Sequence, residues 1–290
     1  VIIEYIFKAK GGILQQEKIY GTSLWSLCKN IHINRHIIFE MTKRDIVSRY
    51  KGSIMGLLWS FINPVFMLAV YTLVFSEVFN ARWGAASANE SKAQFAIILF
   101  AGLIIHGFFS EVLTKSPMLI LSNANYVKKV VFPLESFPVI ALLSACFQAV
   151  INTVVLLIAF LLLDGFVHWT VLLLPLVFIP VMILTLALCY IISSLGVYLR
   201  DLGQFITILV TVILFLSPVF YPLSAVPEKY QSIILLNPLT FIIEQMRQVI
   251  IWGRIPNVTG LLTYTLISLI TLWFGYFWFQ KTRKGFADVI

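Results

Sequence analysis

Charge is what this chain has least of: only 12% of its 290 residues are Asp, Glu, Lys or Arg, where an ordinary soluble domain carries about 25%. Hydrophobic residues make up 60% and aromatic residues 14%. A water-soluble fold cannot hide that much apolar side chain, because a chain of roughly 300 residues still exposes about a quarter of its unfolded surface. Soluble enzymes and disordered regulators are excluded, and a polytopic membrane protein remains. Cysteine is scarce too. Cys28, Cys146 and Cys189 are odd in number, two of them lie in apolar runs, and their spacing suits neither a disulfide framework nor a metal site. They read as small buried hydrophobes.

Catalytic motifs are missing as well. There is no G-x-x-x-x-G-K-S/T loop to cradle nucleotide phosphates, no H-E-x-x-H, no C-x-x-C and no G-x-S-x-G. Asp45, Asp164 and Asp201 stand alone with no D-x-D pairing, which argues against a membrane-embedded glycosyltransferase. Ion-coupled carriers keep ionisable groups near the bilayer midplane. Here His106 is the one titratable group in mid-span, and it reads as a packed, hydrogen-bonded histidine rather than a proton relay. Glu111 and Lys115 lie i,i+4 toward the end of their span, where they can pair. With no energy source of its own, the chain must draw energy from a partner.

What is abundant is long apolar runs. A hydrocarbon core about 30 Å thick needs about 20 apolar helical residues, and spans are expected at about 54–79, 93–121, 136–163, 168–199 and 258–280. A sixth, 203–221, is uncharged but broken by Pro218 and Pro222, so its helix is expected to end near Tyr221. Between it and the last span, 223–255 holds two apolar pieces too short to cross, punctuated by Pro227, Pro238 and Pro256, which predicts a re-entrant helical hairpin. Pro64, Pro218 and Pro222 are expected hinge or break points.

The net charge is +8. Nine Lys and Arg precede residue 54, joined on the same side by Lys128, Lys129, Arg200, Lys281, Arg283 and Lys284. Arg82, Lys92, Lys229, Arg247 and Arg254 lie opposite. That asymmetry puts both termini in the cytoplasm and attributes the basic excess to topology and anionic headgroups rather than nucleic acid. No apolar core of signal-peptide length occurs in residues 1–30, and with Val1 in place of Met the natural start is expected upstream.

Residues 34–52 predict an amphipathic helix lying in the interface, with Ile38, Phe39, Thr42, Ile46 and Tyr50 on one face and Glu40, Arg44 and Lys51 opposite. Residues 1–33 form a leader without an assignable role. The loop SNANYVKKVVFP (Ser122–Pro133) places Tyr126, Val130, Val131 and Phe132 in a cytoplasmic turn, where an exposed apolar patch implies a docking partner, unless it packs against its own spans. Along the first span, Tyr71, Phe75 and Phe79 repeat at i,i+4, and Trp59 and Phe66 at i,i+7. Such rings suit stacking on sugars or, equally, packing on lipid and neighbouring helices. Trp83, Trp169 and Trp252 read as interfacial belt residues.

The order of these pieces resembles a known family. RDIVSRYKGSIMGLLWSFINPVFMLAVYTLVFS (Arg44–Ser76), NYVKKVVFPLE (Asn125–Glu135), YLRDLGQ (Tyr198–Gln204), SPVFYPLSAVPEKYQ (Ser217–Gln231), NPLTFIIEQMRQ (Asn237–Gln248) and the terminal FADVI together resemble the membrane subunits of ABC-2 exporters of the O-antigen, capsular polysaccharide and teichoic acid group. The resemblance covers residues 40–290. It implies an all-α membrane protein with six transmembrane helices, an interface helix, a coupling helix at 123–133 and a re-entrant hairpin. It further implies a multi-pass subunit of the bacterial inner membrane that forms a homodimeric channel above two ABC ATPase subunits. ATP and Mg²⁺ would sit on those ATPases and no cofactor on this chain.

The cargo implied is an undecaprenyl-diphosphate-linked polysaccharide, with Arg44, Arg49 and Lys51 as candidates for its pyrophosphate. ATPase coupling would fall to Asn125, Tyr126, Lys128, Lys129, Val130, Phe132 and Pro133. The channel aromatics would be Trp59, Phe66, Tyr71, Phe75 and Phe79, and the exit constriction Tyr221, Pro222, Asn237 and Pro238. A lipid or drug exporter of the same fold, and a non-transporting scaffold, are the competing readings.

Overall fold

The computed structural model describes residues 21–78, 83, 92–128 and 132–290, and every regular element among them is helical. Among the described residues, two helices lie before the first span: α1 (Leu24–Ile33) and α2 (Arg35–Ser48). The first span is α3 (Trp59–Tyr71), led in by a 3₁₀ turn and continued by a π-helix over Thr72–Val78. Then follow α4 (Lys92–Lys115), the short α5 (Ala124–Lys128), α6 (Ser136–Asp164), α7 (Leu174–Tyr198) and α8 (Leu202–Leu216). The chain closes with α9 (Glu228–Leu236), α10 (Pro238–Ile250), α11 (Val258–Thr282) and α12 (Phe286–Val289).

Among the described residues, five stretches are long and apolar enough to cross a membrane: Gly56–Phe75, Gln94–Met118, Ser136–Asp164, Trp169–Tyr198 and Val258–Val289. They differ in where they sit. Within the apolar window of Gln94–Met118, 78% of residues are buried, which makes α4 the centre of the bundle; for Gly56–Phe75 the share is 11%, so α3 lies at the margin. The α7–α11 pair packs closely enough that a Cβ on Gly275 would come within 2.5 Å of the Ala187 carbonyl oxygen. Only glycine permits that approach.

Proline sets several boundaries. The helix expected to run to Tyr221 stops at Leu216, because Ser217, which precedes Pro218, is extended at ψ 147° and the pyrrolidine ring disfavours a helical residue before it. At 15 residues, α8 is about 22 Å long. The run expected over 93–121 changes more gently: α4 ends at Lys115 and the chain tightens into a 3₁₀ turn over Ser116–Met118 that carries Pro117. In the expected hairpin, α9 and α10 meet at 94° across Asn237. The side chain of Asn237 caps α10 by accepting from the Leu239 N–H at 3.0 Å, and Pro238 follows where no N–H is needed.

The α2 helix spans 35–48 within the expected 34–52, and its inner face is rotated from the expected one. Ile38 and Thr42 are buried, but Phe39 is 66% exposed and the inward position belongs to Asp45 and Arg49. The difference arises because span α6 offers a hydroxyl, Ser144, at the contact, which attracts the polar pair and turns Phe39 outward. The leader contains a helix that composition did not announce: α1 begins at Ser23, whose hydroxyl oxygen accepts from the Ser26 N–H at 3.2 Å.

Candidate functional site

At one end of the bundle, α5 and the residues from Phe132 onward bracket the expected coupling turn. Its helical part is Ala124–Lys128, shorter than the expected 123–133. Lys129 and Val130 lie outside the described residues, as does the side chain of Lys128. Asn125 is exposed and Pro133 half-buried. Phe132 is buried, turned back onto Phe137 (ring centroids 4.8 Å apart) and Tyr126 (5.0 Å). These rings form one aromatic cluster, since an edge of Tyr126 also meets Phe137. An Arg44 Nη1–H donates to the Tyr126 hydroxyl at 3.3 Å, joining α2 to α5.

Immediately after this turn lies a node that sequence reasoning missed. Glu135 and Arg283 form an ion pair with side chains 8% and 10% exposed. Arg283 also donates to the Phe132 carbonyl at 3.2 Å. The Asn30 amide donates to Glu135 Oε1 at 3.2 Å and to the Tyr276 hydroxyl at 3.3 Å, and the Gln280 amide reaches that hydroxyl at 2.7 Å. Tyr190 donates to the Glu135 backbone carbonyl at 2.8 Å. Glu135 therefore gathers the leader helix and the residue after α11 through its carboxylate, and α7 through its backbone carbonyl, while Arg283 adds the turn at Phe132. The partners lie 105 and 148 residues from Glu135, beyond any local pattern. The available signal was an acidic residue directly after Phe-Pro-Leu, with no neighbouring base.

A second polar cluster anchors α2. Arg49 pairs with Asp45 at 3.3 Å and with Glu111 at 2.6 Å and donates to Ser144, whose hydroxyl donates to Asp45 at 2.5 Å. Lys115 reaches the same Glu111 oxygen at 2.9 Å, the expected i,i+4 pair. Burial pushes the Asp45 carboxyl up, but the Ser144 hydroxyl and the charges of Lys115 and Arg49 outweigh it and hold the group below its ordinary value. Tyr50 and Gln148 extend the cluster at 3.2 Å, and Gln148 continues to Asn152 at 2.9 Å. Of the three pyrophosphate candidates, Arg49 is held by these two carboxylates, Arg44 lies along Tyr126, and Lys51 is exposed in the turn after α2.

At the opposite end of the bundle, Arg247 on α10 has no exposed surface. Its Nε donates to the Ile98 carbonyl at 3.1 Å, Nη1 to Pro218 at 2.6 Å and Nη2 to Val219 at 3.0 Å, while Glu244 takes a further contact at 2.9 Å. Trp83 lies 4.2 Å beneath the guanidinium, a cation–π contact in place of a belt position. The two carbonyls just past Pro218 belong to the chain after α8 stops, and the guanidinium satisfies them. Gly102 leaves the room: a Cβ there would stand 3.0 Å from Arg247 Nη2. Charge counting uses Arg247 only as a signal for the side opposite the termini; the structure buries it completely among the carbonyls it holds.

Around it, the exit candidates have structural partners. Asn237 donates to the Ser217 hydroxyl at 2.9 Å and the Ile213 carbonyl at 3.2 Å, and Tyr221 donates to the Phe215 carbonyl at 2.9 Å. Pro222 and Pro238 start the helical turns that follow them. The channel aromatics divide. Trp59 and Phe66 are 43% and 65% exposed, whereas Tyr71 faces Phe100 and Phe75 packs between Phe95 and Phe220. Phe79 lies outside the described residues. His106 is buried, with Nε2 3.2 Å from the Val210 carbonyl oxygen. Among the described residues, no three His, Cys, Asp or Glu side chains group as metal ligands.

An interface helix tied to the bundle, a short turn between the second and third long spans, and a bent helix pair after a broken span define the membrane domain of an ABC-2 type transporter. The model of that family matches residues 37–251, and the chain belongs to it as a multi-pass membrane protein. Among its relatives is the O-antigen export system permease protein RfbA of Myxococcus xanthus, 27% identical over 266 residues, 91% of this chain and 99% of the relative. RfbA of Klebsiella pneumoniae is 26% identical over 265 residues, covering 88% and 95%. The polysialic acid transport protein KpsM of Escherichia coli is 25% identical over 235 residues, covering 80% and 88%.

Proposed function

We propose that this chain is the non-enzymatic, channel-forming subunit of an ATP-driven exporter that moves an undecaprenyl-diphosphate-linked polysaccharide, of O-antigen type, out across the bacterial inner membrane. The observation that carries the reading is the near end-to-end match to O-antigen export permeases. The uncovered margin of the bundle supports it: α3 is mostly exposed, and on α8 Phe205, Ile208 and Phe215 are each about three-fifths exposed. Two copies would close a conduit there. Both termini would face the cytoplasm, and two ATPase subunits holding ATP and Mg²⁺ would dock beneath the turn at 123–133. The match to KpsM keeps a capsule-type glycan as the second reading of the cargo.

The test is reconstitution. The chain co-expressed with its ATPase is expected to purify as a complex and to move lipid-linked glycan across proteoliposomes only with ATP. Val130→Asp is expected to strip the ATPase from the complex, whereas Phe132→Asp is a poor docking probe because Phe132 is buried. Uphill solute movement driven by an ion gradient through the chain alone would overturn the proposal.

A further inference from the structure

We infer that Glu135 and Arg283 are positioning residues for transport: their ion pair is the joint through which a displacement of the coupling turn reaches the last span. The inference rests on the reading that an ATPase docks beneath that turn. Three features of the node carry it. The guanidinium holds both the carboxylate of Glu135 and the carbonyl of Phe132, so it grips the turn by side chain and backbone together. It stands one residue past the end of α11, where α12 lies beside α5. The pair is nearly buried, and burial reduces the water screening that weakens surface pairs.

What lies behind the joint is stiff. Thr282, next to Arg283, bonds α7 twice, its hydroxyl 2.6 Å from that of Ser194 and its carbonyl accepting from Tyr198 at 2.8 Å. With Gly275 seated on the Ala187 carbonyl, α7 and α11 can move only as one body. A push on Phe132 is thus delivered to two spans at once. Asn30, bonded to both Glu135 and Tyr276, makes the leader helix α1 part of the same joint.

The test uses the assembled complex with its ATPase in proteoliposomes. It reads complex yield, ATP hydrolysis per complex, and glycan moved per ATP. Arg283→Gln and Glu135→Gln are expected to leave hydrolysis per complex within about twofold while glycan moved per ATP falls about tenfold, a size typical of coupling between sites. The exchange Glu135→Arg with Arg283→Glu restores the charge pair but not the donor to the Phe132 carbonyl, so it is expected to recover only part of that loss. Should the neutral variants fail to assemble, Arg283→Lys keeps the charge but gives up the guanidinium fork that reaches both acceptors, and an intermediate ratio is expected. An unchanged ratio in whichever variants assemble, with only the yield reduced, would show a merely structural pair and overturn the inference. Failure of the unaltered chain to bind any ATPase would instead sink the proposed function, and this inference with it.

Discussion

Arg247 on α10 and Arg283 just past the end of α11 both have buried or nearly buried side chains, yet they are satisfied in opposite ways. Arg247 spends its donors mainly on the backbone carbonyls of Ile98, Pro218 and Val219, with a carboxylate, Glu244, that is 28% exposed. Arg283 is matched to a buried carboxylate on another element. Carbonyls past a proline break are fixed in the chain, so a guanidinium bound to them acts as a strut. A side-chain carboxylate can change partner, so a guanidinium bound to one can act as a joint. The end held by Arg247 is therefore built to stay, and the end held by Arg283 is, on the inference above, the one that moves.

The largest effect tests the strut. Arg247→Met removes every donor and leaves the Pro218 and Val219 carbonyls buried without partners. The expected cost is about 3–5 kcal/mol, the range for breaking one side of a buried charged contact, read as a lowered Tm in detergent. Arg247→Lys keeps the charge but cannot reach three carbonyls in different directions, and it should fall between. A Met variant as stable as the parent would erase the distinction between the two ends. Gly102→Ala sharpens the same point from the other side. Its Cβ would press on Nη2, and overpacking of this kind costs about 1–3 kcal/mol. Combined with Arg247→Met, the penalty of the added methyl should shrink, leaving its contacts with Ile243 and the Val219 backbone.

How much of this could be read beforehand follows from where the partners lie. Uncharged runs of 20 or more residues have only one solvent to go to, so the long spans were legible from composition. The end of α8 was readable in principle from Ser217-Pro218, but counting apolar residues carried the helix on to Tyr221. Helix α1 escaped because Lys29, Asn30 and His32 dilute its apolar pattern, although Ser23 offered a cap. Arg247 and Arg283 were legible only as charges, and were read as topology signals. Their acceptors Ile98 and Glu135 lie 149 and 148 residues away, and nothing local marks a residue whose partner is set by the bundle.

The α2 anchor is a third arginine, closer to the surface, and it grades the comparison. Arg49→Gln should cost about 1 kcal/mol or less, since its pairs with Asp45 and Glu111 are partly hydrated. Its pH dependence has a definite sign. The folded-state pKa of Asp45 is held below the ordinary 3.8, so its contribution is present in full above that value and is lost as pH falls through the lower, folded one. Thermal unfolding of the parent and Asp45→Asn should therefore differ by a constant amount at neutral pH and converge only in strong acid. Convergence near neutrality would mean that Ser144 and Arg49 do not hold the carboxylate ionised.

The smallest effect on stability is expected at Phe66 in the first span, which runs through α3 and the π-helix after it between the two ends and shares the character of each. Its π-helical end is fastened, because Phe75 packs on Phe95 and on Phe220, one residue past the Val219 carbonyl that Arg247 holds. Its α3 part is open, with Phe66 65% exposed. Phe75→Ala should lower stability measurably, toward the low end of the range of about 3–5 kcal/mol for a buried ring, because Phe75 is only partly buried. Phe66→Ala should stay within about 0.5 kcal/mol, as for surface positions without special partners. If the Phe66 ring serves a passing glycan, Phe66→Ala will slow transport while Tm and ATP hydrolysis hold. A Phe66 variant that loses stability as Phe75 does would place a second surface against it, and α3 would then be as fixed as the π-helical end.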